Sequence, residues 1–441
     1  MNQSVSYQRT IPLCSEYEII VAGGGPSGCA AAMAAARKGA KTLLIEATGC
    51  LGGMGTAGLV PAWCPFSDKE KIIYRGIAEE IFNASKEGVS HVRKTDLDWV
   101  PIDAEHLKRV YDRKVTESGA DVLFHSLVTD VVSENGRVQQ IIVSNKRGLT
   151  AYQAKVYVDC TGDGDIAFWA GAEVLASSEK GGYQPASLCF ALSHVDTDAY
   201  RRAPSLHPNN PGSPIYKIVE SGEYAIPDTH LCNNLVSKGT VGFNAGHLWE
   251  VDNTDPRSVT KAMIEGRLLA AELHRALKDH QPDAFADSSM ASTAQLMGVR
   301  ESRRIKGDYL LTVEDYLARR TFADEICRNS YYLDVHNSAA QSKPGAGPQS
   351  QQHRYGKGES HGVPYRCLTP EGISNVLVAG RCISTERSVQ GSTRVMPVCL
   401  CTGEAAGKAA VLALATPSLN VHDVDVDLLR QQIREDGGYI L

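Results

Sequence analysis

The residues with the clearest chemical meaning stand near the start of the chain. Residues 18–22 (EIIVA) form a short apolar run that leads into Gly23-Gly24-Gly25-Pro26-Ser27-Gly28 and then the alanine-rich stretch 29–38. Strand, glycine turn and helix in this order suit a diphosphate. Gly23 makes the turn, Gly25 lets phosphate oxygens reach the backbone, and Gly28 lets the helix lie close on the strand, with free N–H groups at the helix start. A second apolar run, 42–45 (TLLI), ends in Glu46-Ala47, and Glu46 falls 18 residues after Gly28. A carboxylate there can accept hydrogen bonds from both ribose hydroxyls of an adenosine. The expected ligand is a dinucleotide.

Groups able to act on a substrate lie later. In 331–336 (YYLDVH) a strand would put Tyr332, Asp334 and His336 on one face. A carboxylate beside an imidazole fixes its tautomer for proton transfer, so His336 is the candidate base. In 298–305 (GVRESRRI) a strand would put Arg300, Ser302 and Arg304 on one face, where two guanidiniums could grip a carboxylate or phosphate. The competing reading is an Arg–Glu network that ties two parts of the chain together. Asn244 and His247, next to Trp249, and His361 and Arg366, around Pro364-Tyr365, are further candidates for the active site.

These residues need elements to hold them. In 103–118, Leu107, Val110, Tyr111 and Val115 recur at helical spacing. Strands are expected at 121–124, 127–132, 138–143 and 154–158, with Asn135-Gly136 as a hairpin turn. Asp255 caps and Pro256 starts a helix to about Lys278, with Leu269, Leu273 and Leu277 in one stripe. Residues 375–379 (NVLVA) read as a buried strand ending in Gly380-Arg381, and 391–397 (GSTRVMP) opens a helix whose free N–H groups could stabilise negative charge. The Ser-, Gln-, Gly- and Pro-rich stretch 337–360 is a long loop, read as a possible lid.

A second glycine-rich loop, Gly52-Gly53-Met54-Gly55, follows the second strand where a simple nicotinamide domain would continue into a helix. Such a loop suits an extended FAD. Here the chain resembles FAD-dependent oxidoreductases of the glutathione-reductase-like superfamily. The resemblance implies that Gly52, Gly53 and Met54 pack beside the flavin's phosphate and ribityl chain, and that Val128 meets adenine. Thr161, Gly162 and Asp163 match the family's ATGDGD motif, with Cys160 in place of alanine, and would contact FAD. Gly380, Arg381, Val395 and Met396 complete the implied cofactor set. Taken together the motifs resemble the bacterial FAD-dependent oxidoreductases related to the flavin-binding chain of heterodisulfide reductase, without its cluster cysteines. The implied fold is α/β: a Rossmann-like FAD-binding domain, with a central parallel sheet and a β-meander, in two parts (1–170 and 365–441). An inserted α+β substrate domain fills 171–364.

Composition bounds the rest. With 441 residues, 43% hydrophobic and 22% charged, the chain can build a large core and is not of disordered type. A net charge of −6 and no run of Lys and Arg speak against nucleic acid. No apolar run near the roughly 20 residues of a membrane span is read, and the polar start shows no secretory pattern, so a cytoplasmic chain is expected. Twelve cysteines include no CxxC pair, and the carboxylates Asp159, Asp163 and Asp165 lack the EF-hand spacing, so no metal is expected. No second GxGxxG follows a strand, and no CxxxxC pair adjoins Gly52-Gly53. The expected chemistry is hydride transfer from a small polar substrate (alcohol, sugar, hydroxy acid or amine) to flavin N5. Electrons would leave to oxygen, a quinone or a protein carrier. The alternatives are a reductase or hydroxylase fed by NAD(P)H, or a flavin redox relay within a larger complex.

Overall fold

The structure is a computed structural model, and it describes residues 5–175, 182–336 and 353–441. Ile19–Ala22 is buried at every position because it lies mid-sheet, between Thr42–Ile45 on one side and Val156–Asp159 on the other. Val376–Val378 and Asp121–Leu123 complete a five-stranded parallel sheet, with Val376–Val378 beside Val156–Asp159 and Asp121–Leu123 beside Thr42–Ile45. A sheet covered on both faces favours unbroken apolar runs over alternation, which is why IIVA and TLLI read as they do. Against it pack the helices Pro26–Arg37 and Met396–Leu414. Met396–Leu414 is the one helix among the described residues long and apolar enough to cross a membrane, a stretch that the expectation of no membrane span passed over. It is buried along nearly all its length, with the ion pair Glu404–Lys408 inside at 2.6 Å.

The meander forms a second sheet, in the order Leu13–Cys14, Gly148–Tyr152, Arg137–Asn145, Leu127–Glu134. Its hairpin turns at Asn135-Gly136, both with positive φ (49° and 71°), as a two-residue turn of this kind requires. The strand expected at 154–158 instead begins at Val156 and belongs to the parallel sheet. The helix expected over 103–118 is Ala104–Glu117, with Asp103 accepting from the His106 N–H at 2.9 Å.

The inserted part has its own core, built by residues from Ala186 to Val299. Its antiparallel sheet runs in the order Leu231–Ser237, Thr240–Ala245, Phe190–Ser193, Ser289–Thr293. The helix Pro256–His280 lies with it, capped by Asp255 and burying Leu269, Leu273 and Leu277. The apolar residues from Ile305 to Val363 pack into the first core, including the strand pair Glu325–Asn329 and His361–Pro364. The second core is therefore narrower than 171–364. Of the lid read at 337–360, residues 337–352 lie outside the described residues, and beyond them Tyr355 is buried with its ring stacked on Tyr316 at 4.3 Å.

The strand read over 300–305 is corrected. Only Arg304–Ile305 pairs as strand, with Val174–Leu175. Arg300, Glu301, Ser302 and Arg304 are all buried, so no alternation of faces exists. Glu301 meets Arg387 at 2.8 Å and Arg303 meets Asp165 at 3.0 Å, and these ion pairs tie the two parts of the chain together.

Candidate functional site

The glycine turn is built for close approach. A Cβ on Gly28 would stand 1.7 Å from the Gly23 carbonyl oxygen, whereas a Cβ on Gly25 would meet nothing within 4 Å. The backbone at Gly25 thus faces open space at the start of the helix, with Pro26 and Ser27 in its first turn. Glu46 is held between two loops, accepting from Gly24 N–H at 2.6 Å and Thr48 N–H at 2.7 Å. Gly52 N–H donates to the Gly24 carbonyl at 2.8 Å, so the second glycine loop, with Gly53 and Met54, lies directly on the first. Ala47 follows Glu46 at this junction, and Val128 is buried in the neighbouring meander strand.

The other predicted cofactor residues converge on the same place. Gly380 has φ 89°, and a Cβ on it would stand 2.7 Å from Ser27 Oγ. Asp163 and Arg381 pair at 2.5 Å, and Arg381 also donates to the Gly162 carbonyl at 3.0 Å. Thr161 Oγ donates to Asp159 at 2.7 Å, fixing the loop. Val395 precedes the helix that begins at Met396, where first-turn N–H groups lack intrahelical partners. The open backbone at Gly25, with a carboxylate and a second glycine loop beside it, fits the diphosphate and ribose of FAD.

A cluster of titratable groups fills the seam between the two cores. His247 Nδ1 lies 2.5 Å from Asp228 Oδ2, and His247 Nε2 lies 3.0 Å from His336 Nδ1. His336 Nε2 stands 3.5 Å from Asp334 Oδ1, and Arg394 donates to the Asp334 carbonyl at 2.7 Å. The ring of His230 stacks on His247 with centroids 4.2 Å apart, and its Nε2 is 3.7 Å from Cys232 Sγ. Burial pushes His336 down to about 3, with Arg300 adding to the shift and Asp334 opposing it. Burial likewise lowers His230 and His247. Burial alone would raise Asp334 and Asp228, but His336, Arg394 and Arg300 outweigh it for Asp334, and His247 does so for Asp228, so both carboxyls are held below their ordinary value. Burial thus favours the neutral form of the rings, and the neighbouring cations and hydrogen bonds favour the ionised form of the two carboxyls.

Of the substrate candidates, His336 and His247 meet, and Asn244 lies opposite Cys232 in the paired strands at the cluster's edge. Arg300 is close enough to act on His336, while its Nη1 donates to the Pro185 carbonyl at 2.7 Å and Ser187 Oγ at 3.0 Å. Three candidates are corrected. Arg304 is turned to the Thr385 carbonyl at 2.6 Å, His361 is buried elsewhere against Tyr355 at 3.0 Å, and Arg366 sits at the surface on Asp324 at 2.9 Å. Segment 331–336 is not a paired strand, yet it brings Asp334 to His336. Asp228 and His230 carry no reading in the sequence, and Arg394 is read there only as part of the 391–397 helix start. The spacing Asp-x-His occurs at both 228–230 and 334–336, a signal that could have marked the first from the second.

Known proteins share parts of this sequence and this fold. The digeranylgeranylglycerophospholipid reductase of Methanocella arvoryzae is 30% identical over 175 residues, 36% of this chain and 42% of that protein. The thiamine thiazole synthase of Methanococcus aeolicus is 30% identical over 161 residues, 34% of this chain and 57% of that one. The chain thus spans less than half the length of the phospholipid reductases it matches, 42% and 48% in two cases. In fold it is similar to a geranylgeranyl bacteriochlorophyll reductase-like protein from Thermoplasma acidophilum. That structure gives a TM-score of 0.51 at 15% identity, over 96% of this chain and 84% of that one. The profile of FAD dependent oxidoreductases matches residues 18–433, and the chain belongs to that family.

Proposed function

We propose that this flavoenzyme oxidises a small polar organic substrate, an alcohol, sugar, hydroxy acid or amine, at the seam where the histidine cluster lies. FAD supplies a two-electron acceptor at N5 when bound. Gly25, Ser27, Glu46 and the Gly52-Gly53 loop hold its diphosphate and ribose. The helix start at Val395 and Met396 would offer its free N–H groups to negative charge on the bound flavin. The observation that carries the reading is the Asp228–His247–His336 chain, with contacts of 2.5 and 3.0 Å. Neutral rings backed by an ionised carboxylate can take the proton released from a substrate O–H or N–H, with His336 as the base. Arg300 serves to fix a substrate carboxylate or hydroxyl. Electrons leave to oxygen, a quinone or a protein carrier, in the cytoplasm. Kinship with the flavin-binding chain of heterodisulfide reductases, without its cluster cysteines, belongs to the same proposal.

A second reading rests on those relatives that are named as phospholipid reductases. In it NADH or NADPH is the donor and an organic acceptor is reduced or hydroxylated. An anaerobic titration separates the two. The oxidised flavin band is expected to persist with NADH and NADPH and to bleach with a member of an alcohol, hydroxy acid, sugar and amine panel. Bleaching by the nicotinamides alone would move the protein to the reductase reading. A band that no reductant bleaches would leave only a redox relay within a complex and overturn both.

A further inference from the structure

Three separate stretches of chain bring one nitrogen each from His230, His247 and His336 to within 4.8 Å of one another. The outward nitrogens are occupied. His247 Nδ1 lies 2.5 Å from Asp228, His336 Nε2 3.5 Å from Asp334, and His230 Nε2 3.7 Å from Cys232 Sγ. A carboxylate only accepts, so His247 Nδ1 and His336 Nε2 carry the ring hydrogens. The two remaining nitrogens, His247 Nε2 and His336 Nδ1, then face each other as lone pairs at 3.0 Å. His230 Nδ1 is buried with no hydrogen-bond partner among the described residues. Moving the His336 hydrogen to Nδ1 mends one contact and turns a lone pair on the Asp334 carboxylate instead. No choice of neutral tautomers satisfies both contacts; an added proton or a cation shared by His247 Nε2 and His336 Nδ1 does, and the buried, unpartnered His230 Nδ1 nearby offers a cation a third ligand.

We propose that His230, His247 and His336 bind one divalent first-row transition ion, zinc or ferrous iron, through three imidazole nitrogens. Imidazole suits these ions, and Asp228 and Asp334 are the outer carboxylates that commonly fix ligating rings. A metal–nitrogen bond of about 2.0–2.1 Å puts neighbouring ligand nitrogens roughly 3.3 Å apart in a tetrahedral site. The His247–His336 pair, at 3.0 Å, is already near that spacing. His230 must rotate inward, and its Nδ1 gives up no hydrogen bond in doing so. Arg300 and Arg394 oppose a cation here, and Asp228 and Asp334 match them charge for charge. Three protein ligands leave a fourth position for water or a substrate heteroatom. The inference goes beyond the proposed oxidation and rests on it only for the substrate's place. Ion and proton compete for the same lone pairs, so a bound ion would replace His336 as the group that meets the substrate's oxygen or nitrogen.

The test uses untagged holoprotein grown with zinc and iron and purified without chelator, with metal and FAD measured per chain. About one equivalent of zinc or iron is expected. The metal should be lost in His230→Gln and in His230→Ala while FAD content holds. Cobalt added to chelated wild-type protein should give the visible absorption of a nitrogen-ligated four- or five-coordinate ion. Metal at background, with no cobalt band, would overturn the inference, and if a substrate still bleached the flavin the oxidation reading would stand. Metal present but unchanged in both variants would also overturn it. Metal lost in the variants while no reductant bleached the wild-type flavin would uphold the site and sink the oxidation reading.

Discussion

Gly403 lies against Ser27 so closely that a Cβ on it would stand 2.0 Å from the Ser27 carbonyl oxygen. Gly407 meets Ala31 in the same way one turn on, at 2.2 Å. The two helices therefore touch backbone to backbone, and Ser27 sits in the first turn beside the open Gly25. Gly403→Ala forces these helices apart. Overpacking of this kind typically costs about 1–3 kcal/mol, so a lower melting temperature and reduced FAD content are expected on purification. Full FAD occupancy with unchanged melting would show that the helix contact does not set the cradle.

The Lys408 ammonium is buried against Glu404 at 2.6 Å and also meets Asp436 at 2.9 Å. Glu404 in turn accepts from the Ile77 N–H at 2.8 Å, which fixes the start of helix Ile77–Lys86. Lys408→Met strands that carboxylate among apolar side chains. Breaking one side of a buried pair costs about 3–5 kcal/mol, so denaturant unfolding should shift by that order. Adding Glu404→Gln should recover part of the loss, because the amide still accepts from Ile77 without a charge to desolvate.

Much of the nucleotide-binding half was legible because its signals are local. Gly23, Gly25, Gly28 and Glu46 stand at spacings that strand–turn–helix geometry dictates, and Asp255-Pro256 marks a helix start by its own chemistry. The histidine cluster was only half legible. His336 and His247 were singled out one at a time, but 89 residues separate them, and nothing local says that two loops of different cores meet. His230 gave no signal beyond the Asp-x-His spacing it shares with His336. Arg304 misled for the opposite reason. Its dense charged neighbourhood looked like a substrate clamp, yet tertiary packing turned it to the Thr385 carbonyl.

Asp165 opens a short helix beside the Asp163 loop and pairs with Arg303 at 3.0 Å. Burial first, and then the neighbouring Asp159 and Asp163, raise its carboxyl to about 6 against the pull of Arg303. The folded protein thus holds this proton more tightly than the unfolded chain. The stability it contributes is full below the unfolded value near 4 and is lost as pH rises through about 6. A shift of this size corresponds to roughly 2–3 kcal/mol at most. Asp165→Asn should therefore gain stability relative to wild type between pH 4 and 7, on the order of 2 kcal/mol. Melting curves of both proteins across that range measure it, and a difference that stays flat would mean the folded carboxyl titrates like a free one.

Asp228 tests whether the cluster takes part in the reaction. Its carboxylate accepts from His247 Nδ1 at 2.5 Å, and its own titration is held below the ordinary carboxylate value chiefly by His247 against the effect of burial. Asp228→Asn keeps an oxygen that can accept the same hydrogen bond, so the ring orientation survives, but the negative charge is gone. A proton arriving at His336 then has only Asp334 as counter-charge and none behind His247, and an ion among the three rings loses the carboxylate that makes His247 a stronger ligand. Either way the rate of flavin reduction should fall by about 10- to 100-fold. FAD content should stay unchanged, because Asp228 touches the histidines and not the glycine cradle. Asp228→Glu restores the charge at a longer reach and should recover part of the rate. Stopped-flow reduction by the reductant that bleaches the wild-type flavin reads this directly. Equal rates in all three proteins would remove the histidine cluster from the reaction and leave it a structural seam between the two cores.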